Sequence, residues 1–199
     1  IIIHYRNGTI QLFKDSGWIG LYAGIFLGLA NPAIILAMTH TTIANALFTL
    51  SSCPLITALL SWIFLKEKIS IKTIIAITIA TLGIGIMVAD GLQGGGSFGN
   101  FMALLCAFFF SMFVVFLRLG KDRNMLPASV IGGLVSIVIG LIGAKLDYSL
   151  SLHDGLLCFF WGGIIATTVH VLFIQSSRYL YGAEIMLITM IEFILGPIW

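Results

Sequence analysis

The chain has 199 residues, of which 59% are hydrophobic and only 9% charged, with a net charge of +2 and a mean hydropathy of +1.11. A soluble domain carries about 25% charged residues, so a water-facing surface cannot be built from this pool and lipid must be the main solvent. The basic residues are scattered and form no stripe, which excludes a nucleic-acid-binding surface.

Seven apolar segments follow one another, at about 17–38, 42–65, 70–89, 98–118, 127–145, 156–176 and 183–199. Each is predicted to be a helix, because in hydrocarbon only a helix or a closed barrel satisfies its own backbone groups. The stretch 41–68 sets the pattern. It is mostly apolar, carries Pro54 in its middle and closes on Lys66-Glu67-Lys68. At about 1.5 Å of rise per residue it crosses a core of roughly 30 Å as one helix. Pro54 removes one backbone hydrogen bond and is expected to kink that helix.

Alternating the loops between two sides collects Arg6, Lys14, Lys66, Lys68, Lys72, Arg118, Lys121, Arg123 and Arg178 on one side, and Lys145 alone on the other. This bias predicts that the basic side is cytoplasmic, and it also checks the span boundaries.

Three lines of small residues recur at every fourth position: Gly20, Gly24 and Gly28; Ala103, Ala107 and Ser111; and Gly132, Ser136, Gly140 and Ala144. Such lines let helix backbones approach in lipid, where apolar burial gives no drive for association. Cys53, Cys106 and Cys158 lie inside apolar spans without metal-ligand spacing and read as small packing residues. No metal, cofactor or catalytic residue is expected.

Sliding the chain by 139 residues lays 21–60 on 160–199, matching Gly24 with Gly163, Ile25 with Ile164, Ile35 with Ile174 and Ala44 with Ala183. Both copies read as span, short polar link, span, and the charge assignment orients them oppositely. That is the pattern of an inverted repeat.

Two motifs suggest other chemistry. Gly94, Gly96 and Gly99 fit a dinucleotide fingerprint, and Gly95, Ser97 and Gly99 fit a nucleophile elbow. Both need a strand before and a helix after in an α/β sheet; between two spans the segment reads as a linker. The glycosylation triplet at Asn7 falls on the predicted cytoplasmic side and should stay bare.

The run Thr42-Ile43-Ala44-Asn45-Ala46 through Pro54 to Glu67, followed by Gly83 and Gly85, resembles the EamA-type transporters of the drug/metabolite transporter superfamily. Gly99-Asn100 with Ala103-Leu104, and Ala183 to Glu192, resemble that family's second repeat, although Phe193 stands where a proline often follows the glutamate. The resemblance implies an all-α transmembrane bundle of two inverted five-span repeats, ten spans when complete and about seven to eight here. Residues 1–90 would be the first repeat, 91–98 a glycine-rich linker and 99–199 the second repeat, with both outer ends of the family fold lacking. It further implies a secondary transporter, an exporter or exchanger of a small metabolite such as an amino acid or drug-like compound, working by alternating access in the bacterial inner membrane. The partners expected are a small-molecule substrate and the lipid bilayer, with protons as a candidate coupling ion and a homodimer as a candidate assembly. The competing readings are a seven-span receptor or retinal protein and a membrane-embedded enzyme. The last span has no lysine for retinal, and no convergent catalytic set is present.

A transporter site belongs near the midplane, where buried polar residues are expensive and so are functional candidates. Glu192, about nine residues into its span, is a candidate to bind a proton or pair with a cationic substrate. Asn31 and His170 occupy matching repeat positions and are expected to face one cavity; ordinary packing with a satisfied hydrogen bond is the alternative. Asn45, Thr49 and Ser52 form a polar stripe at i, i+4 and i+7, either a water-lined path or interhelical glue. Pro54 and Glu67 read as structural or gating residues, and Glu184 is expected to pair with Arg178.

Overall fold

A computed structural model of the chain describes residues 9–67, 70–88, 96–143 and 151–195. Among them every regular element is helical: α1 (Thr9–His40), α2 (Ile43–Leu50), α3 (Cys53–Leu65), α4 (Ile71–Val88), α5 (Ser97–Leu119), α6 (Leu126–Gly143), α7 (Leu152–Cys158), a π-helical stretch (Phe159–Ala166), α8 (Thr167–Ser176) and α9 (Gly182–Leu195). Taken across their breaks, five helical stretches among the described residues are long and apolar enough to cross a membrane: Gln11–His40, Ile43–Leu65, Ser97–Leu119, Leu126–Gly143 and Leu152–Ser176. Outside the described residues lie Asn7, Arg6, Lys68, Lys145, most of the glycine-rich linker and the Glu192 side chain.

α1 is the hub, packed between α5 and α6. Against α5 it uses aromatic rings: Phe26 stacks on Phe116 at 5.6 Å, and Tyr22 tilts over the same ring at 5.7 Å. Against α6 it uses glycine. A Cβ added at Gly24 would meet Ile131 Cβ at 2.5 Å and the Ala128 carbonyl at 2.8 Å, while one at Gly28 would meet the Gly132 carbonyl at 2.8 Å. Gly28 of one small-residue line therefore faces Gly132 of another, and there backbone approaches backbone. The line Ala103, Ala107, Ser111 is fully buried. Its Ser111 hydroxyl donates to the Cys53 carbonyl at 3.2 Å, joining α5 to α3.

The stretch 43–65 is two helices, not the single kinked helix expected. The break falls at Ser51–Ser52, and Pro54 sits in the first turn of α3, where its missing N–H costs nothing. Ser51 and Ser52 turn their hydroxyls onto the Phe48 and Thr49 carbonyls at 2.6 Å each, so these two carbonyls at the end of α2 are satisfied without water.

The cationic ends gather. Arg178 donates to the Arg123 carbonyl at 3.1 Å, Arg118 meets Glu67 and Ser177, and Arg123 lies beside Gly17. At the opposite end His40 meets Phe98 edge-on at 5.1 Å, and Gly99 admits the His40–Thr41 backbone. Exposed Trp18, Trp62, Tyr179 and Tyr181 ring the basic end, as an interfacial aromatic belt does. Glu184 and Arg178 do not pair. The Glu184 carboxylate accepts the Tyr181 N–H at 3.2 Å at the start of α9, where a carboxylate offsets the exposed helix amides, while Arg178 reaches the α5–α6 turn instead.

Candidate functional site

Pro32 sits inside α1 and leaves the Gly28 carbonyl, four residues back, without its helical donor. Ser136 of α6 supplies one: its hydroxyl donates to Gly28 O at 3.3 Å and accepts from Asn31 Nδ2 at 3.2 Å. A proline-freed carbonyl thus fixes a serine, and the serine fixes Asn31. Since the hydroxyl proton is spent on the carbonyl, the amide must present its NH2 to Ser136, and Oδ1 is the Asn31 atom left for another donor.

The π-helical stretch Phe159–Ala166 prepares the second polar residue. A π turn holds more residues than an α turn, and so re-aims the side chains after it. His170 follows directly, with Nδ1 2.7 Å from the Ala166 carbonyl. A carbonyl only accepts, so Nδ1 carries the hydrogen and Nε2 is the ring atom available to a ligand.

Asn31 and His170 line the same cavity. It measures about 310 Å³, and its other walls include Cys53 and Pro54 from α3, Phe110 from α5, Phe173 from α8, and Met186, Thr189 and Met190 from α9. On their far side the same two residues line a second cavity of about 320 Å³ with Ser129, Gly133, Gly162 and Thr167. They form a polar partition between two spaces. The first is mostly apolar, with Phe110 and Phe173 rings 5.7 Å apart, and suits a small molecule with an apolar body and a hydrogen-bonding group.

The remaining candidates lie elsewhere. Asn45 is buried, donates to the Thr41 hydroxyl at 3.2 Å, and Thr41 in turn donates to Asn100 Oδ1 at 2.6 Å. The Thr49 hydroxyl bonds the Asn45 carbonyl at 2.8 Å, and Ser52 bonds Thr49 O. None of these three lines the two cavities that Asn31 and His170 divide. Glu67 accepts two bonds from Arg118, at 2.7 Å from Nη2 and 3.3 Å from Nε. Sequence reading missed Ser136, Thr189 and Arg118. Ser136 was findable from Asn31-Pro32, since a proline inside a span announces an orphan carbonyl; Arg118 was counted only as a topology marker.

Residues 1–89 match the model of the EamA-like transporter family. This N-terminal part of the chain is similar to that family. The match covers α1 to α4, so the EamA segment contributes Asn31, Cys53 and Pro54 to the cavity, and His170 comes from beyond it. Among curated proteins, an uncharacterized transporter of Bacillus subtilis, YojE, is 30% identical over 121 residues, 60% of this chain and 38% of that protein. An uncharacterized transporter of Helicobacter pylori is 24% identical over 149 residues, 74% of this chain and 50% of that protein. The chain thus spans half or less of the length of these relatives. No solved structure matches it significantly. With this similarity to EamA-like transporters and five membrane-length apolar stretches among the described residues, it is a multi-pass integral membrane protein.

Proposed function

We propose that this chain belongs to a secondary active transporter, an exporter or exchanger that carries a small metabolite such as an amino acid or drug-like compound by alternating access. The observation that carries the reading is the cavity at Asn31 and His170, to which helices from both halves of the sequence contribute. Polar groups among membrane spans are expensive, and here two half-buried ones border two cavities. Asn31 Oδ1 accepts and His170 Nε2 accepts or, when protonated, donates. Together they orient a polar head while Phe110, Phe173 and the methionines take an apolar body.

Glu192, in α9 two residues beyond Met190, is the proposed proton- or cation-binding group of the same carrier. Asn45, Thr49 and Ser52 serve the fold of α2 in this reading. The basic end faces the cytoplasm, and since both relatives named are bacterial, the membrane proposed is the bacterial inner membrane.

Thermal unfolding of the full-length protein against a metabolite panel tests the reading. A ligand held at a hundredfold excess over Kd stabilises by about 2.7 kcal/mol. One chemical class should raise the midpoint, and His170→Ala should abolish the rise. With Glu192→Gln, unchanged transport at both acidic and alkaline pH would remove the proton role.

A further inference from the structure

α3 and α9 lie side by side between two cavities. At one end of their seam Pro54 and Met186 line the central cavity. At the other, Ser61 and Ala183 line a smaller cavity of about 230 Å³ at the basic end, together with Glu67, Tyr181 and Glu184. At the start of α9 the helices touch closely: a Cβ at Gly182 would meet Ser61 Oγ at 3.0 Å and Thr57 Cγ2 at 3.1 Å.

Two polar atoms are trapped in that contact. Thr57 is 0% exposed and Ser61 2%, and neither hydroxyl has a hydrogen-bond partner among the described residues. Helical serines and threonines elsewhere in the chain bond a carbonyl one turn back, as Thr49, Thr78 and Ser176 do. A buried hydroxyl left unpaired is costly, so this contact is less favourable than its apolar neighbours.

The mouth of the seam is crossed by Arg118, which is 8% exposed. From α5 it reaches Glu67 at 2.7 Å, just past the end of α3, and the Ser177 carbonyl at 3.0 Å, just past the end of α8. Its guanidinium also lies 5.5 Å from the centre of the Tyr181 ring, beside the start of α9. Lys66 adopts a left-handed conformation at the end of α3 (φ 54°, ψ 26°), which turns the chain so that Glu67 meets Arg118.

We propose that the α3–α9 seam is a solute path between the central cavity and the basic end, shut in this conformation, and that the Arg118–Glu67 pair is the clasp holding it shut. The proposal rests on the transporter reading, since a carrier must open to each side in turn. Opening breaks the clasp bonds and admits water to Thr57 and Ser61; closing reverses both, so the two contributions oppose each other.

The test is cysteine accessibility in membrane vesicles carrying the full-length protein in a cysteine-free background. Thr57→Cys and Ser61→Cys report the seam, and Ala23→Cys, 0% exposed in the α1 core, reports general loosening. Glu67→Gln and Arg118→Met should each raise the rate of labelling by a membrane-impermeant maleimide about tenfold at both seam positions and leave Ala23→Cys slow. Glu67→Gln preserves shape and keeps the test valid where Arg118→Met fails to fold. Unchanged seam labelling in folded Glu67→Gln, or an equal rise at Ala23→Cys, would overturn the clasp. Labelling needs no transported compound, so failure of the transporter reading leaves this outcome readable. Intact transport with unchanged labelling would remove the clasp alone.

Discussion

At the scale of single residues, Pro32 and Ser136 depend on each other. Ser136→Ala takes the donor from a carbonyl that α1 cannot satisfy, and should cost about 1 kcal/mol, in the range of hydrogen bonds measured between membrane helices. Pro32→Ala restores an N–H within reach of Gly28 O, so the same Ser136→Ala change in that background should cost little; a double-mutant cycle on thermal unfolding checks this. Gly17 is a second such point. Its φ of 56° and ψ of −156° lie in a region open essentially to glycine, and Gly17→Ala should destabilise by about 1–3 kcal/mol in the same assay. The sequence made the polar candidates visible, because an Asn or His inside an apolar span stands out by composition alone. It did not distinguish Asn31, held at a cavity wall, from Asn45, which donates to Thr41, itself bonded to Asn100. That distinction depends on which partner lies across the helix contact, and spacing along one helix cannot supply it.

Helix contacts set the next scale. The small-residue lines predicted close approach, and Gly24 and Gly28 deliver it against α6. Gly133 and Gly140 face open space in the structure although they share α6 with Gly132. Gly28→Val should therefore cost about 1–3 kcal/mol by overpacking. Gly133→Ala should be neutral or stabilise by up to about 1 kcal/mol, since glycine is the poorer helix former. Thermal unfolding of both variants separates the two cases. The span 43–65 shows where pattern reading stops: hydropathy runs unbroken through Ser51 and Ser52, so length called for one helix. Two serines that cap the preceding carbonyls, and a proline best accommodated in a first turn, make two helices from it. The π turn at Phe159–Ala166 leaves no periodic signal either, yet it precedes His170.

Over the whole molecule, the charge pattern carried the most information. Lys14, Lys121, Arg123 and Arg178 are exposed at the end where Arg118 is buried against Glu67, so alternation of loops in sequence corresponds to one end of the bundle in space. Cysteines at Asp122 and Phe98 should accordingly label from opposite sides of the membrane, with Asp122→Cys reached from the cytoplasm; labelling of both from one side would reject this topology. The inverted repeat, by contrast, rests on register and charge, with Asn31 and His170 as its best-placed pair. In the proposed carrier these two residues bind the transported compound. This role is tested most directly by thermal unfolding of the full-length protein with the stabilising compound, compared with Asn31→Ala and His170→Ala. Both variants should fold, and both should lose the ligand-induced rise. A full rise in either folded variant would contradict this role.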